Sequence, residues 1–382
     1  MKDYNFKVPQ NIEFGLGSLK KLPEILNENK SEHVFLISDK GLESIGFVKK
    51  VEDIIAESGI GFTTYLGVVP NPTIDIVNEA ADAYKACGAT SIIAFGGGSA
   101  MDVAKAAGVL VEHGGQITDY EGNHKVPGPI GTMIAIPTTA GTGSEVTASA
   151  VITDEARNYK LTVFSYEMLP KYVVLDPQLI MTTPFSIAAS CGVDALIHAI
   201  EAYLSNNASP FSDAMAEKAM ELIGQNIRRF VANRQDEEAA CAMMVGSNFA
   251  GIAFAWARLG NVHALSHPVS AYFHVAHGVA NSILLPTVME YNALADQGRY
   301  ETIYNYICEG EGHVENFKTD MLVEEVKKLN SDLNIPKSLS EVGVREDLLE
   351  IMAEDAMKSG NIQANPRKST VKDLIELYRK AL

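Results

Sequence analysis

The chain has 382 residues, and its 31 basic and 48 acidic side chains give a formal net charge of −17 at pH 7. This length predicts two globular domains, because a single domain usually holds roughly 100–200 residues. The acidic balance disfavours a nucleic acid or an anionic membrane as partner, since such surfaces bind clustered Lys and Arg.

The sequence also lacks the marks of a secreted or membrane-inserted protein. Its first residues, MKDYNFKVPQ, mix charge and proline where a signal peptide has an apolar core. No unbroken apolar run reaches the ~18 residues of a membrane span. The four cysteines, Cys87, Cys191, Cys241 and Cys308, are too dispersed for a disulfide framework or a thiolate metal site. We therefore expect a cytoplasmic protein whose cysteines are buried apolar residues.

Short β-branched runs alternate with helical periods over the first half of the chain. Strands are predicted at 33–38, 61–66, 91–95, 133–136 and 173–175, helices at 42–57, 73–87 and 99–110, and a hairpin at 146–152 and 161–164. This alternation is typical of parallel strands joined by crossover helices.

Beyond residue 183, long Ala- and Met-rich segments with helical spacing replace the β-branched runs. Helices are predicted at 185–204, 212–230, 237–256 and 262–273. Thr182-Thr183-Pro184 has the composition of a helix start, with proline at the first helical position. The sequence therefore predicts an α/β domain over residues 1–183 and an all-α domain over residues 184–382.

A glycine-rich loop joins a strand to a helix in the predicted α/β domain. Gly96-Gly97-Gly98-Ser99 follows the strand at 91–95, and Asp102 comes three residues after Ser99. Glycines there let backbone N–H groups approach a phosphate at a helix N-terminus. We expect a pyrophosphate cradle in which Ser99 is the N-cap and Asp102 completes a capping box. A tight turn without a ligand is the alternative, because Met101 replaces the third glycine of the dinucleotide fingerprint.

Two further segments follow predicted strands. Asp39 stands where a carboxylate can bind a ribose 2′-hydroxyl and repel a 2′-phosphate, which predicts NAD in preference to NADP. Capping of the next helix is an alternative role for Asp39. The segment 137–145, PTTAGTGSE, is dense in hydroxyls and glycines. It suits a second wall of the cofactor site, with a flexible linker as the alternative.

Histidines are concentrated in one short segment. Four of the nine fall within fifteen residues: His263, His267, His274 and His277. The first two have i,i+4 spacing, as do Asp194 and His198, so each pair shares a helix face. Imidazole with carboxylate suits Fe, Zn, Co, Ni or Mn, and burying Asp194 among apolar residues would be costly without a cation or another partner. The pattern predicts a metal site, whereas His274 lies on another helix face and is expected to be structural.

Together these motifs resemble the iron-containing (group III) alcohol dehydrogenases, a family with the dehydroquinate-synthase-like fold. The resemblance rests on Asn71-Pro72-Thr73, 96–99 with Asp102, 137–145, 192–201, 262–268, 277–281 and Asn365-Pro366-Arg367. It implies an N-terminal Rossmann-like dinucleotide-binding α/β domain, an all-α C-terminal metal-binding domain, and an active site in the cleft between them. It also implies a metal-dependent, NAD(H)-linked alcohol dehydrogenase or aldehyde reductase for a small primary alcohol or diol, assembled as a homodimer or larger homo-oligomer.

The same resemblance implies roles for individual residues. The ligands of a divalent metal, Fe²⁺ in the first place and Zn²⁺ as the alternative, would be Asp194, His198, His263 and His277. His267 would lie near the nicotinamide and assist proton transfer. The NAD site would be lined by Asp39, Asn71, Gly97, Gly98, Ser99, Thr138, Thr139, Thr142, Lys160 and Leu179.

Several related activities are alternatives. Dehydroquinate-synthase-like lyases need several basic residues for a phosphorylated substrate, and segment 183–227 has only Lys218 apart from histidine. Maleylacetate reductases lack the metal set, which is intact here. Glycerol dehydrogenase-type polyol oxidation and a non-catalytic NAD- and metal-binding sensor stay open at this point.

Overall fold

The computed structural model of the chain describes residues 7–8, 11–157, 159–308 and 316–382. Within them the chain forms two compact units. The sheet unit comprises residues 7–139 and 144–180, and the helical unit comprises residues 140–143 and 181–382.

The sheet unit alternates strands and helices along the chain. Its elements are β1 (Asn11–Phe14), α1 (Leu22–Glu28), β2 (His33–Ile37), α2 (Lys40–Ser44), α3 (Phe47–Glu57), β3 (Gly61–Tyr65), α4 (Ile74–Cys87), β4 (Ser91–Gly96), α5 (Gly98–His113), β5 (Gly122–Asn123), β6 (Thr132–Pro137), β7 (Ser149–Asp154), β8 (Tyr159–Phe164) and β9 (Tyr172–Leu175). Six strands form a parallel sheet in the order β1-β9-β6-β4-β2-β3. A second sheet has the order β5-β8-β7, in which β7 and β8 form the predicted antiparallel hairpin.

The parallel sheet is covered by helices. Alternate residues of its central strands, among them Val34 and Leu36 of β2 and Ile93 and Phe95 of β4, share a buried core with α1 and α3. Phe35, which alternates with them, stacks on Tyr84 of α4 with 5.2 Å between ring centroids. Burial of both sets of side chains explains the continuous apolar runs of these strands. The α/β prediction is confirmed.

Several local predictions about the sheet unit were wrong. The helix expected at 42–57 is two helices, because Gly46 has a φ of +80° that interrupts helical geometry. Ser99 is not the N-cap of α5, which begins at Gly98 after Gly97. Strand β1 was not predicted, since four residues flanked by polar groups give little periodicity. The cysteines, expected to be buried, are free and only partly buried.

The helical unit matches the predicted all-α texture. Its helices are α6 (Phe185–Leu204), α7 (Pro210–Ala232), α8 (Glu237–Ala257), α9 (Asn261–Phe273), α10 (His277–Asn292), α11 (Arg299–Ile307), α12 (Thr319–Asp332), α13 (Leu349–Ala356), α14 (Asn361–Ala364) and α15 (Val371–Ala381). Helices α6, α7 and α8 pack against one another, and α10 packs on both α6 and α9. A Cβ on Gly143, whose φ is +61°, would stand 2.6 Å from the Cα of Gly251 in α8, so this close approach requires glycine.

Two helices of this unit, α6 and α8, are long and apolar enough to cross a membrane by length and composition alone. Of their most apolar windows, 83% and 61% respectively are buried inside the protein. Core helices of soluble proteins meet the same criterion, so these two helices are weak evidence for membrane insertion.

A fully buried lysine organises the chain between α5 and β7. The ammonium of Lys105 donates to the carbonyl oxygens of Ser144 and Ser149, at 2.7 and 2.9 Å, and to the hydroxyls of Ser144 and Thr147. Burial lowers its pKa to about 8, which leaves it protonated at neutral pH. Asp102 accepts from the Ser144 hydroxyl and the Val151 amide. These contacts replace the expected capping box between Asp102 and Ser99.

We predict that Lys105→Met lowers the free energy of unfolding by about 3–5 kcal/mol, because buried carbonyls and a carboxylate lose their cationic partner. The measurement is urea-induced unfolding followed by circular dichroism. Lys49→Met is the matched control, because Lys49 lies on the surface beside Asp53, and it should leave the unfolding midpoint unchanged. Equal midpoints for both variants would contradict an organising role for Lys105.

Candidate metal and cofactor sites

Three helices of the helical unit bring one carboxylate and three imidazoles together. Asp194 and His198 lie one turn apart on α6, His263 lies in the first turn of α9, and His277 begins α10. Ligand atoms of Asp194, His263 and His277 all lie within 4.8 Å of one another. The Nε2 of His198 is 4.0 Å from Oδ2 of Asp194. Its ring stacks on that of His263, with 4.7 Å between centroids.

Hydrogen bonds fix which ring nitrogen faces this cluster. The Nδ1 of His198 lies 3.2 Å from the carbonyl oxygen of Gly141, and the Nδ1 of His263 lies 2.6 Å from Oε2 of Glu201. Both partners are acceptors only, so each Nδ1 is the donor. Each Nε2 is thereby directed towards Asp194.

The cluster is buried and electrostatically coupled. Asp194 is 3% exposed, His198 3% and His263 1%. Burial alone would raise the pKa of the Asp194 carboxyl, but the neighbouring imidazoles, His198 first, hold it below its usual range. Burial lowers the pKa of His198 to about 4, which favours the neutral ring that binds metals. Burial would also lower the pKa of His263, but hydrogen bonds to Asp194 and Glu201 outweigh it and raise that pKa to about 9.

The donor set fits a first-row divalent cation. One carboxylate and three imidazoles suit Fe²⁺ or Zn²⁺, and neither metal requires a thiolate. The amide nitrogen of Asn281 lies 2.6 Å from Oδ1 of Asp194, 3.0 Å from Nε2 of His263 and 3.1 Å from Nε2 of His277. Oδ1 of Asp194 accepts from this amide, and both Nε2 atoms lie within hydrogen-bonding distance of it, so the three atoms converge on one point, as they would on a cation.

Two aromatic groups border the cluster. His267 is half-buried one turn beyond His263, and its ring centroid lies 5.5 Å from that of His277. Phe254 of α8 is also half-buried, with its ring centroid 4.4 Å from that of His198. His274 is the C-cap of α9, where its φ is +56°, and its side chain is exposed. It is therefore not a member of the buried cluster.

Several of the predicted cofactor residues of the sheet unit lie at one end of the parallel sheet. Strands β6, β4 and β2 are neighbours and run parallel. Asp39 follows β2, the glycine loop ends β4, and Thr138 follows β6, where its amide donates to the carbonyl of Gly96. The chain leaves β2 and β4 towards opposite edges of the sheet, which makes their carboxyl ends a topological switch point. Such points bind ligands in open α/β sheets.

The glycine loop is tightest at Gly96, where there is no room for a side chain. A Cβ on Gly96, whose φ is +154°, would meet Ala100 at 2.8 Å and Oδ2 of Asp39 at 3.7 Å. Gly97 caps α5 without any side-chain hydrogen bond to the first turn, and Gly98 and Ser99 begin that helix. A Cβ on Gly97 would lie 3.5 Å from the Thr139 hydroxyl. Backbone amides at a helix N-terminus fit the pyrophosphate of a dinucleotide.

The other predicted cofactor residues are distributed differently. The Lys160 ammonium donates to Oδ1 of Asn71 at 2.7 Å, and burial lowers the pKa of Lys160 to about 8. Asn71 has a φ of +54°. Leu179 is 2% exposed within the apolar core of the sheet unit, where packing is its observed role. Thr142 is half-buried and belongs to the helical unit.

Asp39 performs the capping role that the sequence left open. Its Oδ1 accepts from the amide of Leu42 at 3.0 Å, which makes it the N-cap of α2. The other oxygen, Oδ2, faces the glycine loop. Capping and ribose binding are therefore compatible, because they use different oxygens.

The sequence analysis assigned no role to two side chains that bond to the proposed ligands, Glu201 and Asn281. Glu201 follows Asp194 and His198 at i+7 and i+3, which places all three on one face of α6. Asn281 follows His277 at i+4 on α10. Helical spacing is the signal that identifies both residues, because it places each of them on the same helix face as a predicted ligand.

Comparisons with known proteins cover the whole chain. A family model described as iron-containing alcohol dehydrogenase matches residues 9–177, and the C-terminal model of the Fe-containing alcohol dehydrogenase family matches residues 188–382. An NAD-dependent methanol dehydrogenase of Bacillus methanolicus is 35% identical over 99% of this chain and 100% of its own. Lactaldehyde reductase of Escherichia coli K12 is 37% identical over 96% of this chain and 97% of its own. A crystal structure of 1,3-propanediol oxidoreductase superimposes with a TM-score of 0.96 at 33% identity, covering 100% of both chains.

We predict that His263→Ala abolishes stoichiometric binding of a divalent metal, because it removes a nitrogen at the centre of the cluster. His274→Asn is the matched control on the same helix, since asparagine tolerates the left-handed conformation at residue 274. Elemental analysis should find about one metal per chain in the control and almost none in His263→Ala. Full occupancy in His263→Ala would remove His263 from the ligand set.

Proposed function

The chain belongs to the iron-containing alcohol dehydrogenase family, and from this premise we propose that it is a metal-dependent, NAD(H)-linked oxidoreductase for small primary alcohols or diols and the corresponding aldehydes. The observation that carries the proposal is the convergence of Asp194, His263 and His277, with His198 beside them. The proposal of a nicotinamide cofactor rests on the carboxyl end of the parallel sheet, where the glycine loop enters α5 without a side-chain cap.

We assign Asp194, His198, His263 and His277 as the side chains that would hold the metal, Fe²⁺ in the first place and Zn²⁺ as the alternative. When bound, such a metal supplies Lewis acidity, which lowers the pKa of an alcohol and polarises an aldehyde carbonyl. The protein holds these donors rigidly on three helices, with the Nδ1 of His198 and of His263 anchored to Gly141 and Glu201. Rigid anchoring keeps the donors aligned through turnover.

The cofactor assignment combines backbone amides with side chains. Backbone amides of Gly97, Gly98 and Ser99 are proposed to bind the pyrophosphate, and NAD supplies the hydride acceptor. Oδ2 of Asp39 is proposed to bind the adenine-side ribose. The remaining proposed contacts are Asn71, Thr138, Thr139, Thr142, Lys160 and Leu179, of which Leu179 is buried in the apolar core of the sheet unit.

His267 is proposed to move the proton that accompanies hydride transfer. It lies on the helix of His263 and beside His277 without belonging to the tight group of ligand atoms. Its partial exposure gives a proton a route to solvent. A histidine in such a place can act as general base in oxidation and general acid in reduction.

A small substrate is proposed from the surroundings of the cluster. The half-buried ring of Phe254 beside His198 offers an apolar wall close to the donors. Three relatives are named for small molecules, methanol, 1,3-propanediol and lactaldehyde, whereas another is named for long-chain alcohols. An absorbance assay at the NADH band with short alcohols, diols and aldehydes tests this proposal, and absence of turnover on metal-loaded protein would favour a binding module instead.

The remaining assignments are proposals from the sequence. We propose domain limits of 1–183 and 184–382, a cytoplasmic location, and assembly as a homodimer or larger homo-oligomer. The net charge of −17 supports the absence of nucleic-acid and anionic membrane partners.

We predict that NAD is preferred over NADP and that Asp39→Asn and Asp39→Gly both relax this preference, by about tenfold or more in the ratio of kcat/KM values. Asparagine keeps the cap on α2 but removes the charge that repels a 2′-phosphate. Agreement between the two variants would separate charge from capping. Equal kcat/KM values for the two cofactors in the unmodified protein would show that Asp39 is only a helix cap.

We predict that His267→Ala retains metal and cofactor while kcat falls by about 10²–10⁴-fold, the usual range for general acid–base groups. Metal content and NADH binding are measured on the same preparation as turnover. His277→Ala is the comparison, since it should lose the metal. The opposite pattern, with metal lost from His267→Ala and kept by His277→Ala, would exchange the two roles.

A further inference from the structure

A second carboxylate, that of Glu201, lies beneath the proposed metal ligands and uses both of its oxygens. Glu201 is 6% exposed on α6, on the face that also carries Asp194 and His198. Its Oε2 accepts from Nδ1 of His263 at 2.6 Å, and its Oε1 accepts from the amide of Val262 at 2.7 Å. A buried carboxylate with both oxygens bonded to one helix turn is strongly constrained in position.

We propose that Glu201 is a positioning residue that holds His263 with its proton on Nδ1 and its Nε2 directed at the metal. This inference rests on the proposed function, because it takes His263 as a ligand. Charge transferred through the hydrogen bond also makes the imidazole a stronger donor. Glu201 itself would not touch the metal or the substrate.

The first turn of helix α9 needs hydrogen-bond acceptors from side chains that are distant in the sequence. Its N-cap is Gly260, which has no side chain to bond the free amides of the first turn. Glu201 bonds the Val262 amide, and Asn365 bonds the Asn261 amide at 3.1 Å. A Cβ on Gly260 would stand 2.9 Å from each of these two side chains. Glycine therefore admits two distant caps, and one of them also orients His263.

His198 provides an internal comparison. Its Nδ1 faces the carbonyl of Gly141, a neutral backbone acceptor that no substitution can remove. His263 has a charged acceptor instead, and charge-assisted hydrogen bonds are shorter and roughly twice as strong as neutral ones. Among the described residues of the cluster, Glu201 is thus the side chain at which orientation can be tested by mutation.

Glu201→Gln is the informative variant because glutamine offers one acceptor where glutamate offers two. The Val262 amide and Nδ1–H of His263 bond to different oxygens of Glu201, so a glutamine in the same position can place its oxygen against only one of them. If the oxygen faces Val262, the amide NH₂ meets Nδ1 and favours the ring with its proton on Nε2. That ring cannot donate Nε2 to a metal without losing the hydrogen bond or the proton.

The first measurement uses the unmodified protein loaded with Zn²⁺ and labelled with ¹⁵N in its histidines. NMR should show His263 protonated on Nδ1, with a far-downfield proton that marks a charge-assisted hydrogen bond, and bound to zinc through Nε2. Coordination through Nδ1, or a proton on Nε2, would overturn the proposal without any variant.

The second measurement is the Kd for Zn²⁺, obtained by competition with a chelator. Glu201→Gln should weaken binding by about 10–100-fold at unchanged circular dichroism, and its zinc-saturated form should lose the downfield proton. Asn365→Ala is the matched control, because it removes the other distant cap of α9 without touching His263. It should keep both the zinc affinity and the downfield proton.

Two results would contradict the proposal: a Kd of Glu201→Gln within twofold of the unmodified protein, or equal weakening in Asn365→Ala with the His263 signal unchanged in both. If Glu201→Gln does not fold, Glu201→Asp takes its place and should show the charged hydrogen bond. Failure of the proposed function is distinguishable, because it would be seen as an unmodified protein that binds no zinc through His263.

Discussion

A carboxylate buried among apolar helices is the constraint on which the helical unit depends. Asp194 lies on a helix of alanine, valine, leucine and isoleucine and is 3% exposed. Taking an ionised carboxylate out of water costs several kcal/mol unless charged or polar groups compensate. The compensation here comes from His198, His263 and His277, and from the Asn281 amide.

The buried carboxylate of Asp194 also constrains the side chains around it. If His198 and His263 are to present Nε2 to a metal, their Nδ1 atoms need acceptors, and the Gly141 carbonyl and Glu201 are placed to be those acceptors. Glu201 in turn accepts a hydrogen bond from the first turn of α9. The N-cap of this helix is Gly260, because a side chain at that position would collide with Glu201. In the sheet unit, Gly97 likewise caps α5 without a side-chain hydrogen bond to the first turn of the helix. In both places a glycine N-cap leaves the first turn of the helix without a side-chain hydrogen bond from its own cap residue.

Periodicity explains what the sequence could predict. The buried strands and long helices have clear patterns, and the i,i+4 spacing of Asp194 with His198 predicted a shared face that the structure contains. Contacts between distant residues leave no such pattern, so the use of Asp102 by Ser144 in place of Ser99 was missed. Strand β1 was missed because its four residues are too few to show a clear period, and its pairing with β9 leaves no local pattern. Asp39 was undecided because capping and ligand binding favour the same residue type at the same place.

We propose that one carboxylate and three imidazoles of the helical unit hold a divalent cation. X-ray absorption spectroscopy of the protein loaded with Zn²⁺ tests it most directly, because imidazole rings give a characteristic multiple-scattering pattern. We expect a coordination shell of nitrogen and oxygen atoms only, at about 2.0–2.2 Å, with the scattering of three imidazoles. Sulfur in that shell, or oxygen ligands without imidazole, would contradict the account.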